Sequence, residues 1–331
     1  MTPRLRTIGQ AAIPVSRLSF GAAGIGNLFT PVTDTQAEEA ITTALAHGYR
    51  YFDTAPHYGL GLSERRLGSV LRRQPRDQFT ISTKVGRLLI PQESHSDDLA
   101  DGFAVPATHR RVWDFSAQGV RRSLLSSLER LGLDRVDIVY LHDPDAHEQQ
   151  ALDEAYPELE RLRSEGIIKA IGIGMNQAEL PTRFIRNTDI DAVLLAGRYT
   201  LLDQRGLHQL LPLAHERGVA VILGGIFNSG LLADPKPGAP FDYSAAPEQT
   251  LARAVALKAV CERHHVPLRA AALQFPLSHP AVVSVLVGTR SASQTTDATQ
   301  MTNLSIPTDL WAEMKALGLL PDSAPTPEET G

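Results

Sequence analysis

The sequence predicts a (β/α)8 barrel, and three observations lead there. A unit recurs along the chain: an amphipathic helix, a glycine, then a short apolar strand. In a chain of 331 residues these units supply eight strand-like runs, which favours a closed barrel of parallel strands over an open doubly wound sheet. No GxGxxG follows the first strand, where an open dinucleotide-binding sheet needs it for the pyrophosphate. Gly21-Ala22-Ala23-Gly24-Ile25-Gly26 is rich in glycine but lacks that spacing, and it reads as a flexible loop.

The elements follow in order. Residues 4–16 read as a short hairpin that closes the bottom of the barrel, and the first strand is expected at 17–20. Asp34 is placed to cap a helix whose apolar face carries Ala37, Ile41, Ala44 and Leu45; it stops before Gly48, and the second strand follows at 51–53. A helix over 63–73 leads to the third strand, 79–83. Val120, Leu124, Leu128 and Leu131 share one face of the next clear helix, which Gly132 closes before the fourth strand, 136–141. Leu152, Ala155, Leu159 and Leu162 repeat the pattern before Gly166 and the fifth strand, 170–174. A helix over 177–187 joins it to the sixth, 192–196; Leu207, Leu210 and Ala214 precede Gly218 and the seventh, 219–223. The eighth is expected at 282–287, with a helix around 292–302 behind it. Spacings of three and four mark the helices and β-branched runs the strands, while glycine accepts the left-handed turn that ends a helix.

Two long segments interrupt the repeat: 86–115 after the third strand, with Phe103, Trp113 and Phe115, and 228–247 after the seventh, rich in Pro, Gly and Ala. Loops that follow barrel strands lie on the face where barrel enzymes build their sites, and loops this long are commonly functional. Residues 1–321 are expected to form one barrel domain. The polar, proline-rich residues 322–331 are expected to form a flexible tail.

Composition narrows the classes. The chain is 43% hydrophobic and 21% charged, within the globular range, and a net charge of −5 without a dense basic run argues against nucleic-acid binding. Cys261 is the single cysteine, so an intrachain disulfide or a cysteine metal cluster is excluded. No apolar run reaches the length of a membrane span, and the first fifteen residues lack the apolar core of a signal peptide. The expectation is a cytoplasmic protein.

Four polar residues sit at or just past strand ends: Asp53, Tyr58, Lys84 and His142. If the strands are parallel, these side chains converge at one end of the barrel. A phenol, an ammonium, a carboxylate and an imidazole there make a proton-donor site for a carbonyl, the chemistry of hydride transfer to and from a nicotinamide. Taken singly, Tyr58 is a surface tyrosine in a proline-containing turn and His142 a structural histidine. Lys84 changes the balance, because a lysine ending a buried strand needs a partner, and Asp53 supplies one. An ammonium beside a phenol favours the phenolate. His142-Asp143-Pro144-Asp145 invites a metal reading, but the other strand ends offer too few histidines and a central lysine repels a cation. No metal is expected, and Asp143 and Asp145 read as loop residues.

With these residues in place, the chain resembles the aldo-keto reductase superfamily along nearly its whole length. The motifs are YFDTAPHYGLGLSERRLG, ISTKVGRLL and SLERLGLDRVDIVYLHDPD, and the superfamily's catalytic tetrad falls on Asp53, Tyr58, Lys84 and His142. LLAGRYTLLDQ, GGIFNSGLL and AAALQFPLSHPAVVSVLVGTRS resemble a narrower branch of D-threo-aldose 1-dehydrogenases (L-fucose and L-galactose dehydrogenases) and pyridoxal 4-dehydrogenase. The resemblance implies an NAD(P)-dependent oxidoreductase acting on an aldose at C1, giving a lactone, or on a small aldehyde such as pyridoxal. The alternative within the same architecture is a non-catalytic NAD(P)-binding regulatory subunit.

The resemblance also implies cofactor contacts. Asn176 falls where the superfamily bonds the carboxamide, and Gly21, Gly224 and Phe227 lie beside the nicotinamide positions. Gly288, Thr289, Arg290, Gln294 and Asp297 fall at the phosphate and adenosine end. This chain departs from the pattern at Met175, Ala196 and Gly224, where a serine, a glutamine and an aromatic residue are common. Gly288 and Gln294 are uncharged where a lysine or arginine often grips the 2′-phosphate, which leans the expectation to NAD and leaves Arg290 as the residue that would admit NADP. Ile25, His57 and Trp113 are the candidate substrate walls. A small-molecule substrate is the expected partner, and oligomeric state is not legible.

Overall fold

The computed structural model describes residues 5–94, 96–242 and 244–328. Eight strands, Leu18–Gly21, Tyr51–Asp53, Thr80–Val85, Ile138–His142, Ala170–Met175, Ala192–Ala196, Ala220–Gly224 and Val282–Gly288, close into a barrel in chain order. Every neighbouring pair is parallel, and the eighth strand returns to the first with Val285 opposite Leu18 and Gly288 opposite Gly21. Each expected strand is present, with ends that coincide or move by one or two residues. The strands are buried on both faces, which is why they read as continuous apolar runs rather than alternating ones.

The larger core lies between the outer faces of the strands and the helices, among residues such as Ile41, Leu67, Leu124, Leu159, Phe184, Leu211 and Leu257. A fully buried aliphatic side chain of this kind contributes about 1.5–3 kcal/mol. A second cluster fills the lower barrel. There Ile8, Ile13 and Val15 of the hairpin, Arg6–Ile8 paired with Ile13–Val15, pack under Ile138, Ala170, Ala192 and Ala220. The hairpin plugs the N-terminal end, as expected.

The helices follow the apolar stripes, and Gly132 and Gly218 end theirs at φ 63° and 68°. One cap differs from expectation. Thr33, not Asp34, caps the helix Asp34–Ala46: its hydroxyl accepts from the Gln36 N–H, and the Gln36 side chain accepts from the Thr33 N–H. Thr33 has the extended backbone a cap requires, so Asp34 falls in the first turn and pairs with Arg66 at 2.8 Å.

The long segment after the third strand is itself structured. The chain leaves the strand through Gly86 at φ 104°, where a Cβ would lie 2.2 Å from the Phe115 ring, and enters a hairpin of Arg87–Pro91 against His109–Trp113. The segment after the seventh strand holds a short pair, Pro240–Phe241 with Ser244–Ala245. At the C-terminus Ala324 is buried in the main core, so the chain stays docked beyond residue 321, where a flexible tail was expected to begin; residues 329–331 lie outside the described residues. Among the described residues no helix is long and apolar enough to cross a membrane.

Candidate active site

The second, third and fourth strands deliver three of the four expected side chains to one end of the barrel. Asp53 and His142 are the last residues of their strands, and Lys84 is the last but one of its own. Tyr58 comes from the loop after the second strand. Two glycines bring that loop against the loop after the first strand: a Cβ on Gly59, at φ 61°, would lie 2.2 Å from the Gly26 carbonyl oxygen. The Ser63 hydroxyl secures it, donating to the Ala22 carbonyl and bonding the Thr54 hydroxyl, both at 2.8 Å.

Lys84 is the hub. Its side chain is 2% exposed, and Nζ donates to Asp53 Oδ2 at 2.7 Å, the Thr54 carbonyl at 3.0 Å and Tyr58 Oη at 3.0 Å. An ammonium has three donors, and each is used. Asp53 Oδ1 accepts from the Ser82 hydroxyl at 2.7 Å. Having donated its proton, Ser82 accepts from Tyr51 at 2.8 Å, and Tyr51 accepts from Tyr140 at 3.1 Å. A carboxylate only accepts, so the chain Tyr140 to Tyr51 to Ser82 to Asp53 runs in one direction. Burial raises both tyrosine hydroxyls well above their ordinary pKa, which keeps them donors.

Burial is the largest influence on both members of the ion pair. At Lys84 it is outweighed by Asp53 and Tyr58, and the ammonium's pKa lies above its ordinary value. Burial pushes the Asp53 carboxyl up, and Lys84 and Ser82 pull it back. Glycines make room for these groups. A Cβ on Gly172 would lie 2.5 Å from the Tyr140 ring, and one on Gly174 would touch Lys84 Cε at 3.6 Å.

His142 stands beside this group, 6% exposed. The Tyr58 ring centroid is 6.1 Å away and that of His57 5.7 Å, both edge-on. Burial, then Arg87, Lys84, His57 and Arg111, hold His142 well below its ordinary pKa. Burial, Arg87, Arg111 and Lys84 push His57 down to about 2. Both imidazoles are therefore neutral donors and acceptors. Together with the Tyr58 hydroxyl they offer a proton carrier and a hydrogen-bond donor side by side, as a carbonyl or hydroxyl substrate requires.

The hairpin brings residues that the sequence reading did not assign to the site. Arg87 pairs with Asp143, and its Cζ lies 4.3 Å from the Trp113 ring centroid. Arg111 donates to both Asp98 oxygens, to Asp101 and to the His57 carbonyl, the last at 3.0 Å. Phe103 is buried against His57 and Tyr58. The available signal was the placement of three arginines, Arg87, Arg110 and Arg111, in a loop that must fold over a barrel mouth. Asp143, read as a plain loop residue, takes φ 45° and carries the Arg87 pair. Among the described residues no group of three or more His, Cys, Asp or Glu is arranged to hold a metal ion.

The other expected contacts are mixed. His57 lies against the Tyr58 and His142 rings, whereas Ile25 is fully buried in the main core within a short helical turn. Trp113 is 43% exposed on the hairpin, its ring stacked on Phe115 and over Arg87. Asn176 is exposed just past the fifth strand, and Phe227 packs half-buried on the core. Gly21 and Gly288 lie opposite one another at the strand ends, and Gly224 ends the seventh strand. The Thr289 hydroxyl bonds Thr295 at 2.8 Å, and the Arg290 N–H donates to Gln294 Oε1 at 2.8 Å. Asp297 pairs with Arg269 at 2.9 Å.

Known proteins resemble this chain closely. A model of the aldo/keto reductase family matches residues 17–318. A D-threo-aldose 1-dehydrogenase from a Pseudomonas species is 45% identical over 94% of this chain and 96% of its own length. A pyridoxal 4-dehydrogenase from Microbacterium luteolum is 39% identical, covering 95% of this chain and 97% of the relative. Among solved structures, the holo form of an aldo-keto reductase from Bacillus halodurans superposes with a TM-score of 0.75 at 25% identity, covering 95% of this chain and 96% of that one.

Proposed function

This chain belongs to the aldo/keto reductase family and is an oxidoreductase, and from that premise we propose that it is an NAD(P)-dependent dehydrogenase of aldoses, oxidising the C1 hydroxyl to a lactone, or of a small aldehyde such as pyridoxal. Members of the family use a nicotinamide cofactor, and the strand ends fit one. At Gly21, Gly224 and Gly288 an added Cβ would meet no atom closer than 3.6 Å. The fold itself tolerates a side chain there, so the bare backbone leaves space for a flat ring or a phosphate. Gly21, Asn176, Gly224 and Phe227 would hold the nicotinamide end, and Gly288, Thr289, Arg290, Gln294 and Asp297 the phosphate and adenosine end. When bound, the nicotinamide supplies the hydride chemistry.

The rest belongs to the chain's own residues. In oxidation Tyr58 Oη takes the hydroxyl proton, and in reduction it returns that proton to the carbonyl oxygen. Lys84, held as an ammonium by Asp53, stabilises the phenolate that Tyr58 passes through. His142, kept neutral, donates a hydrogen bond to the same substrate oxygen and orients it. His57 and Trp113 lie at the rim, where a sugar presents its remaining hydroxyls and C–H faces.

The observation that carries this reading is Lys84 Nζ, buried and bonded at once to Asp53, Thr54 and Tyr58. A surface tyrosine in a turn has no use for such a partner. The two relatives named as dehydrogenases support the substrate classes. The test is steady-state turnover with NAD and NADP against L-fucose, L-galactose, D-arabinose, pyridoxal and small aldehydes. Oxidation of an aldose or of pyridoxal is expected. Measurable cofactor binding without turnover of any member of the panel would replace this reading with that of a nucleotide-binding regulator.

A further inference from the structure

His142 Nε2 faces Asp143 Oδ2 at 3.6 Å, and its Nδ1 is buried without a hydrogen-bond partner. The proton of the neutral ring therefore belongs on Nε2, the nitrogen that faces acceptors. An imidazole beside a free carboxylate would give it that N–H and, on taking a proton, form an ion pair with it. Here the same Oδ2 is occupied by the Arg87 guanidinium. Arg87 is 13% exposed, and Trp113, its partner across the hairpin, lies against it at 4.3 Å. The backbone that carries the carboxylate is fixed too: the Asp143 N–H donates to the Gly174 carbonyl at 3.0 Å, and φ at Asp143 is 45°.

We propose that Arg87 is a positioning residue for His142: by occupying the Asp143 carboxylate it leaves the Nε2–H free to meet the substrate oxygen. This rests on the reading of His142 as the group that bonds that oxygen. The groups facing the ring are Lys84 from the third strand, His57 and Tyr58 from the loop after the second, Arg87 and Arg111 from the hairpin, and Asp143 beside it. With Arg87 in place, three cations face the ring against one carboxylate that is already paired. Without it, Asp143 stands unpaired 3.6 Å from Nε2, and the balance tips toward an imidazolium bonded to Asp143 rather than to substrate.

The test follows the His142 ring by NMR in the full-length protein, alongside the pH profile of kcat/KM, in R87Q, D143N, R87K and the double variant R87Q/D143N. Asn is at home at positive φ, so D143N removes charge without straining the backbone. In R87Q the Nε2 proton should move downfield, the ring's titration midpoint should rise by about one unit or more, and kcat should fall about tenfold. The double variant should reverse all three, because the competing carboxylate is gone. R87K, which keeps a cation, should stay near the native protein, as should the ring signals of D143N alone. An unchanged ring in R87Q overturns the proposal, and so does a change that persists in the double variant. If R87Q fails to fold, displaced ring signals in D143N overturn it as well. The ring signals need no turnover, so a native protein inert on the whole panel defeats the proposed function separately.

Discussion

The two imidazoles of the site make stability depend on pH below neutrality. His57 is pushed down to about 2 by burial, then Arg87, Arg111 and Lys84, and His142 is held well below its ordinary value by burial and the same cations. Both shifts are downward, so the folded state keeps the rings neutral while the unfolded chain takes up protons near about pH 6.5. Their contribution is therefore intact above about pH 6.5 and is lost as pH falls below it, down through the folded values. Below about pH 6.5 each ring costs about 1.4 kcal/mol per pH unit, so at about pH 5 the pair removes about 4 kcal/mol. Against a typical stability of about 5–15 kcal/mol that is a large fraction.

The assay is urea unfolding followed by circular dichroism from about pH 8 to about pH 5, for the native protein and for His57→Gln and His142→Gln. Each substitution removes one ring that resists protonation. The loss of stability on acidification should shrink by about 2 kcal/mol in each variant, whatever its stability at pH 8. Carboxylates contribute alike to native and variant protein, so the difference isolates the rings. Variants that lose as much stability as the native protein over this window would show that burial and the nearby cations do not keep these imidazoles neutral.

Three further outcomes are expected. Tyr58→Phe keeps the ring and removes the hydroxyl that Lys84 holds, so turnover should fall by about 10²–10⁴ with cofactor affinity little changed; near-native turnover in a chemistry-limited assay would assign the proton to another group. Gly172→Ala places a Cβ 2.5 Å from the Tyr140 ring and 2.6 Å from the Ala192 carbonyl, and should cost about 1–3 kcal/mol. Gly174→Ala, whose Cβ meets Lys84 Cε at an ordinary 3.6 Å, should stay within about 0.5 kcal/mol, and equal losses in the two would refute the contact argument. On cofactor choice, Gly288 and Gln294 are uncharged, and among the described residues the Arg290 guanidinium makes no ion pair while its stem crosses Gly24. NAD should bind at least as well as NADP, with the ratio barely altered in Arg290→Ala. A charged hydrogen bond to a 2′-phosphate is worth about 1.5–3 kcal/mol, so a tenfold preference for NADP that vanishes in that variant would reverse the assignment.

The barrel was legible because its signals are local. An apolar run, a helical stripe and a closing glycine each declare themselves within a few residues, and eight repetitions leave few other topologies. The tetrad was legible because a lysine and an aspartate at the ends of buried strands demand each other. What escaped depends on backbone angles or on distant partners. Thr33 and Asp34 are both capping residues, and only the extended backbone at Thr33 chooses between them. Ile25 reads as a loop residue and is core, because a single short helical turn faces it inward. The Arg87–Asp143 pair joins residues 56 apart, and it exists only once the third and fourth strands lie side by side.

One part of the site was within reach of the sequence and was passed over. Two residues along a strand return a side chain to the same face. If Asp53, Lys84 and His142 point into the barrel, then Tyr51, Ser82 and Tyr140 point inward one layer below. Each carries a hydroxyl. Three fully buried hydroxyls stacked under one carboxylate must bond to one another and to it or stay unsatisfied at a cost. The hydrogen bonds Tyr140 to Tyr51, Tyr51 to Ser82 and Ser82 to Asp53 are that solution. The same step applied to the fifth strand leads from Gly174 to Gly172, which lies opposite Tyr140 and whose missing side chain is the space the Tyr140 ring occupies. The layer beneath the tetrad thus follows from its placement together with strand periodicity. It sets the direction in which Asp53 is hydrogen-bonded, and so why that carboxylate is free to hold Lys84.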